Sequence, residues 1–378
     1  MTSALRPFRP ALVVVAIVGG LALSAAACDS TEGGGEGDDR AAVRQALLAD
    51  LADRVILPAH DAFVTDAEAL ATATAAFADA PSQGTLDAAR SAWREAAGTW
   101  RGLSALNLPG VRFGLYHSRI STWPANTAFV EEAVASSETI DLAYVERRGS
   151  NARGLPALEY LLFEGDALAD MADPQRRAYA RFVAADVEGQ GRALREKWSA
   201  DGGDEIGMFR AADTEGRDLQ SSVSRIVNEM AMVGEDLRYQ KVGRPLGAAR
   251  NADDAGTEPD PSLVESPYAG ASMDFFRNDL AGLRALVTGG GGTGLDDYLA
   301  TLDAEIDGQP LGQVLLDQID ATDQAAAALG DDYQQAVAVR SSAVEALYQE
   351  TRTLLGLIKT DLANWLGVSI TFSDNDGD

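Results

Sequence analysis

The segment GLPALEYLLF, residues 154–163, predicts a buried helix that carries one acidic side chain. Pro156 falls in the first turn of this helix, where its missing N–H costs nothing. Leu155 lies four residues before Glu159 and Phe163 lies four after it, and residues at this spacing share one helix face. We therefore expect Glu159 to point into the protein together with its apolar neighbours.

A buried carboxylate needs a proton, a cation or hydrogen-bond donors, because desolvating its bare charge is costly. Two interpretations of Glu159 remain open at this point. In one, the glutamate pairs with an arginine and fixes helix packing. In the other, it is a binding or catalytic carboxylate.

The composition is that of a globular and strongly acidic protein. The chain has 378 residues, 46% of them hydrophobic, which is enough for two domains with separate cores. It contains 58 acidic and 31 basic residues and has a formal net charge of −27. Such a charge repels nucleic acid and anionic lipid surfaces and tolerates cations. We expect no nucleic-acid partner, and most of the carboxylates are accounted for by solubility.

Residues 1–27 have the pattern of a lipoprotein signal peptide. Arg6 and Arg9 form its basic region, and the apolar run 11–23 is short for a transmembrane helix. Small residues precede Cys28, the single cysteine, which predicts lipidation of Cys28 and attachment to a bacterial membrane. An ordinary secretory signal is the alternative. Both interpretations export the protein to the cell envelope or periplasm.

The rest of the chain predicts an all-α fold of two packed helical bundles. Residues 28–39 are an acidic, Gly-rich tether, and helix formers dominate from residue 40. A polar, Gly-rich stretch at 199–213 separates an N-terminal bundle, 40–205, from a C-terminal bundle, 206–378. The only strand-like alternation is at 368–372. The predicted helices are 40–80 (one helix or two, divided at Pro58), 85–102, 126–146, 155–170, 174–199, 215–240, 270–288, 294–307, 311–329 and 333–366.

Within these elements, Leu86, Trp93 and Trp100 recur every seven residues and predict a buried stripe. The irregular, aromatic segment 107–124 contains His117 and Trp123 and is expected to pack on the bundle and line a pocket.

Residue types for zinc chemistry are sparse. The chain has two histidines, His60 and His117, and neither stands at a ligand spacing such as HExxH. His60 follows Pro58, which could kink the helix, and we expect a hydrogen-bonded packing role for it. His117, in the aromatic segment, is the better functional candidate, with an ordinary surface histidine as the alternative. Residues 374–378 (DNDGD) resemble the opening of a calcium loop, with a frayed acidic tail as the alternative.

GLPALEYLLF also resembles the hallmark of the imelysin family, GxHxxE followed by an apolar run. Gly154 matches the glycine and Glu159 the glutamate, whereas Pro156 stands at the histidine position and supplies neither ligand nor base. Other segments resemble the family in the same order along the chain. These are 265–270 (ESPYAG), 286–290 (LVTGG), 294–298 (GLDDY) and the C-terminal tail from 366.

This resemblance implies a duplicated pair of four-helix bundles with the motif near their interface. It also implies an envelope protein of iron or metal acquisition, often beside an outer-membrane uptake receptor. On that interpretation Glu159 is a ligand for iron or another divalent or trivalent cation. The binding set at the interface would comprise Glu159, Glu265, Ser266, Tyr268, Trp123 and His117.

Three functions remain open, and enzyme activity is uncertain. The first is a non-catalytic metal- or ligand-binding lipoprotein. The second is an imelysin-type metallopeptidase with a degenerate motif, which Pro156 disfavours. The third is a structural envelope scaffold whose motif residues only join the bundles. Ser266 as a helix cap and Glu265 paired with Arg277 would fit this third function.

Overall fold

The structure is a computed structural model that describes residues 35–112, 114–214, 218–248, 256–330 and 332–371. Most of these residues lie in helices, and the strands among them form one antiparallel hairpin, β1 (Glu305–Ile306) with β2 (Gln309–Pro310). The predicted all-α fold of packed helical bundles is confirmed. None of the described helices is long and apolar enough to cross a membrane.

The first bundle is built on three long helices, α2, α3 and α10, with the short helix α8 packed against α3 and α10. The helices of this half are α1 (Gly35–Asp50), α2 (Leu57–Asp79), α3 (Gln83–Gly102), α4 (Pro109–Arg112), α5 (Tyr116–Ile120), α6 (Thr127–Val134), α7 (Leu142–Glu146), α8 (Gly154–Phe163), α9 (Ala167–Asp170), α10 (Pro174–Lys197) and α11 (Glu205–Ala211).

The second bundle is formed by α12, α14, α16 and α18, in which α16 packs against α14 and α18 and α12 packs against α18. The helices of this half are α12 (Ser222–Glu235), α13 (Arg244–Leu246), α14 (Ser272–Thr288), α15 (Leu295–Ala300), α16 (Leu311–Ala327), α17 (Tyr333–Ala338), α18 (Ser342–Gly356) and α19 (Ala363–Leu366). The boundary between residues 205 and 206 as a domain limit stays a prediction.

Helix α3 carries the predicted aromatic stripe. Ser82 caps it, because its hydroxyl accepts the Thr85 N–H at 3.2 Å and the Thr85 hydroxyl accepts the Ser82 N–H at 3.0 Å. Leu86, Trp93 and Trp100 are all buried, which confirms the prediction. The indole N–H of Trp93 donates to the Leu155 carbonyl at 2.9 Å and so fixes α8 on α3.

The two bundles meet where α3 crosses α14, and glycine allows the close approach. A Cβ on Gly282 would lie 2.8 Å from the Gly102 carbonyl oxygen, and a Cβ on Gly98 would lie 3.1 Å from the Asn278 amide nitrogen. Larger side chains would push the helices apart, so the sequence sets this crossing distance.

The segment predicted as one or two helices at 40–80 is one continuous helical run. Leu51–Ile56 joins α1 to α2 as a π-helix, directly before Pro58. Proline has no N–H for the α-helical ladder, and a wider turn accommodates the missing bond without ending the helix. A break at Pro58 is therefore absent.

Several predicted helices are shorter or divided. Segment 126–146 forms α6 and α7, 155–170 forms α8 and α9, and 294–307 forms α15 and the hairpin. The predicted helix 333–366, roughly 50 Å long at about 1.5 Å per residue, is wrong. Arg340 has φ 45° and Ser341 caps a new helix by accepting the Val344 N–H at 3.3 Å. A residue with positive φ cannot continue an α-helix.

The chain ends are only partly described. Helix α1 begins at Gly35, so it takes in residues 35–39 of the predicted tether. The signal peptide 1–27, Cys28, the start of the tether and the calcium-like segment 374–378 lie outside the described residues. Residues 368–371 of the predicted strand are irregular, and Asn228 holds them by accepting the Thr371 N–H at 2.8 Å and donating to the Ser369 carbonyl at 3.1 Å.

Candidate functional site

Helix α8 starts at a position that only glycine can occupy. Gly154 has φ +78°, and a Cβ added there would lie 2.4 Å from the Ile120 carbonyl oxygen and 2.8 Å from that of Arg119. Both the backbone conformation and the space exclude a side chain. The motif glycine therefore sets how closely α8 approaches the loop that leads to Trp123.

Glu159 is buried, with only 3% of its surface exposed, as the helical periodicity predicted. One of its carboxylate oxygens, Oε1, accepts three hydrogen bonds. The donors are the Ser266 hydroxyl at 2.9 Å, the Tyr268 N–H at 3.0 Å and the Ala269 N–H at 2.9 Å. All three belong to one turn in the second half of the chain, which we call the latch turn, residues 266–269.

The backbone of the latch turn is strained. Ser266 has φ +52°, a left-handed conformation that costs a non-glycine residue about 1–3 kcal/mol. The Ser266 hydroxyl bonds Glu159 and does not cap a helix, since α14 begins only at Ser272. The predicted capping role of Ser266 is therefore wrong.

The charge of Glu159 is stabilised by donors and a more distant arginine. Burial raises the pKa of Glu159, while the hydrogen bonds from Ala269, Ser266 and Tyr268 and the charge of Arg94 lower it in part. Arg94 itself donates to the Ala269 carbonyl at 2.6 Å. Within the described ranges no arginine forms a direct ion pair with Glu159, so the expected Glu–Arg pairing is replaced by the latch turn.

Glu265, next to the latch turn, lies in a buried ionic network. It pairs with Arg101 and, through Oε2, with the Lys241 ammonium at 2.7 Å, and Lys241 also binds Asp279. The predicted partner Arg277 instead binds Asp323, at 2.7 and 3.1 Å. The predicted Glu265–Arg277 pair is therefore wrong.

This network contains more carboxylates than cations. Burial lowers the pKa of Lys241. Burial raises the pKa of Asp236, and the charge of Lys241 lowers this pKa in part while the charge of Asp279 raises it further. The network joins α3 of the first bundle to α14 of the second.

A small cavity lies where these groups meet. It leaves about 20 Å³ for the centre of a water-sized molecule, and roughly 10–15 Å³ of such space holds one water. Pro156 is in its wall, so the family's histidine position faces the same space as Glu159. The lining residues are Trp93, Ala97, Trp100, Arg101, Ser121, Trp123, Leu155, Pro156, Glu159, Glu265, Ser266 and Phe275.

The donor set at this cavity does not fit a metal ion. Oε1 of Glu159 is taken by three hydrogen bonds and Glu265 is already paired with two cations, so Oε2 of Glu159 is left as a single uncommitted carboxylate oxygen at the cavity, whereas a metal site usually needs three or more protein ligands. The guanidinium of Arg101 lines the cavity and repels a cation. No cluster of three or more His, Cys, Asp or Glu side chains suited to a metal ion is found among the residues that the structure describes.

His60 has the packing role predicted for it. Its Nδ1 lies 2.7 Å from the Ile56 carbonyl, and its Nε2 accepts the indole N–H of Trp198 at 2.9 Å. Nδ1 therefore carries the proton and donates. Burial lowers the pKa of His60 to about 4, so the ring is neutral.

Three members of the predicted binding set lie at this cavity beside Glu159, and two do not. Trp123, Glu265 and Ser266 line it. Tyr268 contributes its backbone N–H, while its side chain is 38% exposed. His117 packs against Trp100, with ring centroids 4.7 Å apart, outside the lining set. Burial lowers the pKa of His117 to about 3, and its ring nitrogens have no partner among the described residues.

Sequence reasoning missed the cationic side of the site. Arg101 pairs with Glu265, and Lys241 pairs with both Glu265 and Asp279. In a separate pair, Arg112 binds Glu229, whose pKa burial raises to about 7. A signal was present, because Glu229 and Asp279 are acidic residues within the apolar faces of α12 and α14. The pairing itself depends on which helices meet.

The fold and the site define an all-helical protein of two bundles joined at a buried glutamate. A family model described as imelysin, peptidase family M75, matches residues 56–358. The chain therefore belongs to the imelysin family, as the motif resemblance predicted.

Individual relatives agree with this assignment. Iron-regulated protein A of Synechococcus elongatus is 25% identical over 164 residues, 43% of this chain and 42% of that protein, so the match spans less than half of the relative. An imelysin-like protein of Psychrobacter arcticum has a TM-score of 0.71 at 17% identity, covering 88% of this chain and 98% of that one. A structure described as an iron-regulated protein A precursor from Parabacteroides distasonis gives 0.69 at 20% identity, covering 85% and 95%. The structural likenesses show a shared fold.

Proposed function

We propose that this protein is a non-catalytic, ligand-binding accessory of iron or metal acquisition in the bacterial cell envelope. Support for the iron connection comes from family membership and from relatives that carry the name iron-regulated protein A. Support for export comes from the signal pattern at residues 1–27 and from the word precursor in the name of one relative. Cys28 anchors the mature protein through a lipid, and the partner is an outer-membrane uptake receptor.

The observation that carries the non-catalytic part is that the residues lining the cavity offer Glu159 no second free ligand or base. A general base or metal ligand needs a lone pair free to accept a proton or a cation. Oε1 of Glu159 is taken by three hydrogen bonds from the latch turn, which leaves Oε2, and neither Pro156 nor the paired Glu265 supplies a second ligand or base beside it. This favours a protein that binds its ligand elsewhere over a metallopeptidase with a degenerate motif.

The second candidate is a structural envelope scaffold. The same contact favours it, because Glu159 and Glu265 both connect the first bundle to the second. In a scaffold, the motif residues would serve only to join the two bundles. The two candidates differ in whether the protein binds a ligand and in whether cells need it when iron is scarce.

Metal analysis of the purified mature protein tests the non-catalytic role. We expect well under one equivalent of metal in both the wild type and Glu159→Ala, and no peptidase activity on casein. One tightly held equivalent in the wild type that disappears in a variant shown by circular dichroism to be folded would overturn the conclusion that Glu159 holds no metal. Chelator-sensitive peptidase activity that Glu159→Gln removes would establish the metallopeptidase.

The iron connection and the anchor are tested in the source bacterium. We expect the protein to be more abundant after iron chelation, and its deletion to slow growth only when iron is limiting. Equal abundance and growth in both media would favour the scaffold. Cys28→Ser should release the protein from the membrane fraction, whereas an unchanged membrane fraction would exclude the lipid anchor.

A further inference from the structure

A surface beside the latch turn combines fixed arginines with aromatic rings. Its members come from α3, α8, α10 and the latch turn, and pairwise contacts in space connect them. We call it the arginine–aromatic face, and it consists of Arg90, Arg94, Tyr160, Phe163, Arg176 and Tyr268.

Two arginines of this face share one aromatic ring. The guanidinium carbons of Arg90 and Arg94 lie 5.2 and 5.1 Å from the centroid of Phe163. The two arginines are four residues apart on α3 and therefore on the same side of the helix. Each is held by a backbone carbonyl, since Arg90 Nε donates to Leu162 at 2.8 Å and Arg94 Nη2 donates to Ala269 at 2.6 Å.

These anchors leave most of the donor capacity of both arginines unused. A guanidinium has five N–H donors, and these bonds use one from each side chain. Neither arginine forms an ion pair with a carboxylate among the described residues, unlike Arg101 on the same helix. Arg94 is balanced only in part by the buried charge of Glu159. In a chain with net charge −27, two immobilised cations without a direct carboxylate partner point to an external anion.

The other half of the face is aromatic. The rings of Tyr160 and Tyr268 meet edge to face with centroids 5.5 Å apart, and the Tyr268 side chain is 38% exposed. Arg176 lies 5.6 Å from the Tyr160 ring, and Glu131 binds both Arg176 and the Tyr160 hydroxyl at 2.8 Å. Tyr268 directly precedes Ala269, whose carbonyl holds Arg94. The exposed ring therefore belongs to the residue next to the Arg94 anchor, and it packs on Tyr160, which lies one helical turn before Phe163 on α8.

We propose that the arginine–aromatic face binds a small aromatic anion, of the benzoate or catechol-carboxylate class. The carboxylate is bound by the free N–H donors of Arg90 and Arg94, and the ring packs against Tyr268. Of the carboxylates near the face, Glu131 is already bonded to Arg176 and Tyr160, and Glu164 lies at the edge beside Tyr268. Glu95, Asp274 and Asp323 share a groove with Arg94 on its other side. The assignment deepens the proposed function by naming a ligand class, and it rests on that function being one of ligand binding.

Isothermal titration of the mature protein with 2,3-dihydroxybenzoate tests the site. Cyclohexanecarboxylate is a probe with the charge but no aromatic ring, and catechol is a probe with the ring but no carboxylate. We expect saturable binding of 2,3-dihydroxybenzoate and binding weaker by about tenfold or more for both partial probes. Equal binding of cyclohexanecarboxylate, or no saturable binding of 2,3-dihydroxybenzoate, would overturn the assignment.

Variants locate the binding. Arg90→Gln and Tyr268→Ala should each weaken 2,3-dihydroxybenzoate by about tenfold, and Tyr268→Ala keeps the backbone N–H that Glu159 needs. Arg192→Gln is the matched control, since Arg192 is an exposed arginine of α10 paired with Glu188. Urea unfolding confirms that each variant is folded. Unchanged affinity in both face variants, or an equal loss in the control, would show that the face is not the site.

The outcomes separate this inference from the proposed function. A protein that is induced and needed when iron is scarce, yet binds no aromatic anion, retains the function and loses this site. A protein that binds the probe through Arg90 and Tyr268 but does not respond to iron retains the site and loses the iron connection.

Discussion

The Ser266 hydroxyl lies 2.9 Å from Oε1 of Glu159, although the two residues are 107 positions apart in the chain. With the N–H groups of Tyr268 and Ala269, it makes this buried carboxylate the point at which the first bundle holds the second. The hallmark glutamate of the family is thus a structural acceptor in this chain.

Removal of Glu159 should destabilise the protein strongly. Glu159→Ala leaves three donors of the latch turn without a partner, and each buried, unsatisfied donor costs about 1–3 kcal/mol. We expect urea unfolding to give a loss of about 3 kcal/mol or more. Glu164→Ala, an exposed glutamate just after α8, is the control and should cost less than about 0.5 kcal/mol. Similar losses of stability in both variants would contradict the stabilising contact between Glu159 and the latch turn.

Lys241 should contribute strongly to the stability of the folded protein, because it is the buried cation shared by two carboxylates. Lys241→Met leaves Glu265 and Asp279 without this charge, and breaking a buried pair in this way costs about 3–5 kcal/mol. The exposed Arg192, which pairs with Glu188 and Glu68, provides the comparison, and Arg192→Ala should cost less than about 1 kcal/mol. A small loss from Lys241→Met, measured by chemical denaturation, would mean that the network is not stabilising.

His60 should make the protein less stable in acid. Its pKa is about 4 when folded against an ordinary value of 6.5, so the unfolded chain binds the proton more tightly. The stability contributed by neutral His60 is complete above pH 6.5 and is lost as the pH falls towards 4, by up to about 3 kcal/mol. We expect His60→Gln to lose less stability than the wild type between pH 7 and 5.

Glu229 acts in the opposite direction over the same range, which is why the comparison needs the variant. Its pKa is raised to about 7, so its contribution is present below the ordinary value of 4.5 and is lost as the pH rises through 7. Subtracting the two stability curves removes this effect. Parallel curves for the wild type and His60→Gln would contradict the neutral, buried histidine.

Restoring the family histidine should not create a metal site. Pro156→His would place an imidazole in the wall of the cavity, but Arg101 lines the same space, and only Oε2 of Glu159 would stand beside the imidazole as a ligand because Glu265 is paired. We expect titration with Zn²⁺ to show no stoichiometric binding beyond that of the wild type. One equivalent bound with submicromolar affinity would show that Pro156 alone prevents ligation.

The sequence predicted the helices best where apolar residues kept a regular spacing. The stripe of Leu86, Trp93 and Trp100 and the burial of Glu159 follow from local periodicity, and both are observed. The break before α18 was missed because apolar residues continue in register on both sides of Arg340. Ser341 was the available signal there, as a cap residue inside a periodic run.

The binding set was predicted from the order of the motif segments along the chain. For this reason some of its members lie at the cavity and others do not. Glu265, Ser266 and Trp123 reach the cavity of Glu159, because the two motif segments meet between the bundles. His117 packs on Trp100 instead, and Tyr268 turns its ring outward. Side-chain direction in irregular segments depends on tertiary packing, which periodicity does not report.

The sequence by itself determined that the chain is helical, that it belongs to the imelysin family, that Glu159 is carried inward and that Pro156 replaces the histidine. These are properties of local spacing and residue type. Only the tertiary structure decided that Ser266, Tyr268 and Ala269 satisfy Glu159, and that Arg101 and Lys241 neutralise Glu265. The physical reason is that a buried charge requires compensation but does not specify its source. Packing of α3 against α14 brings these partners together.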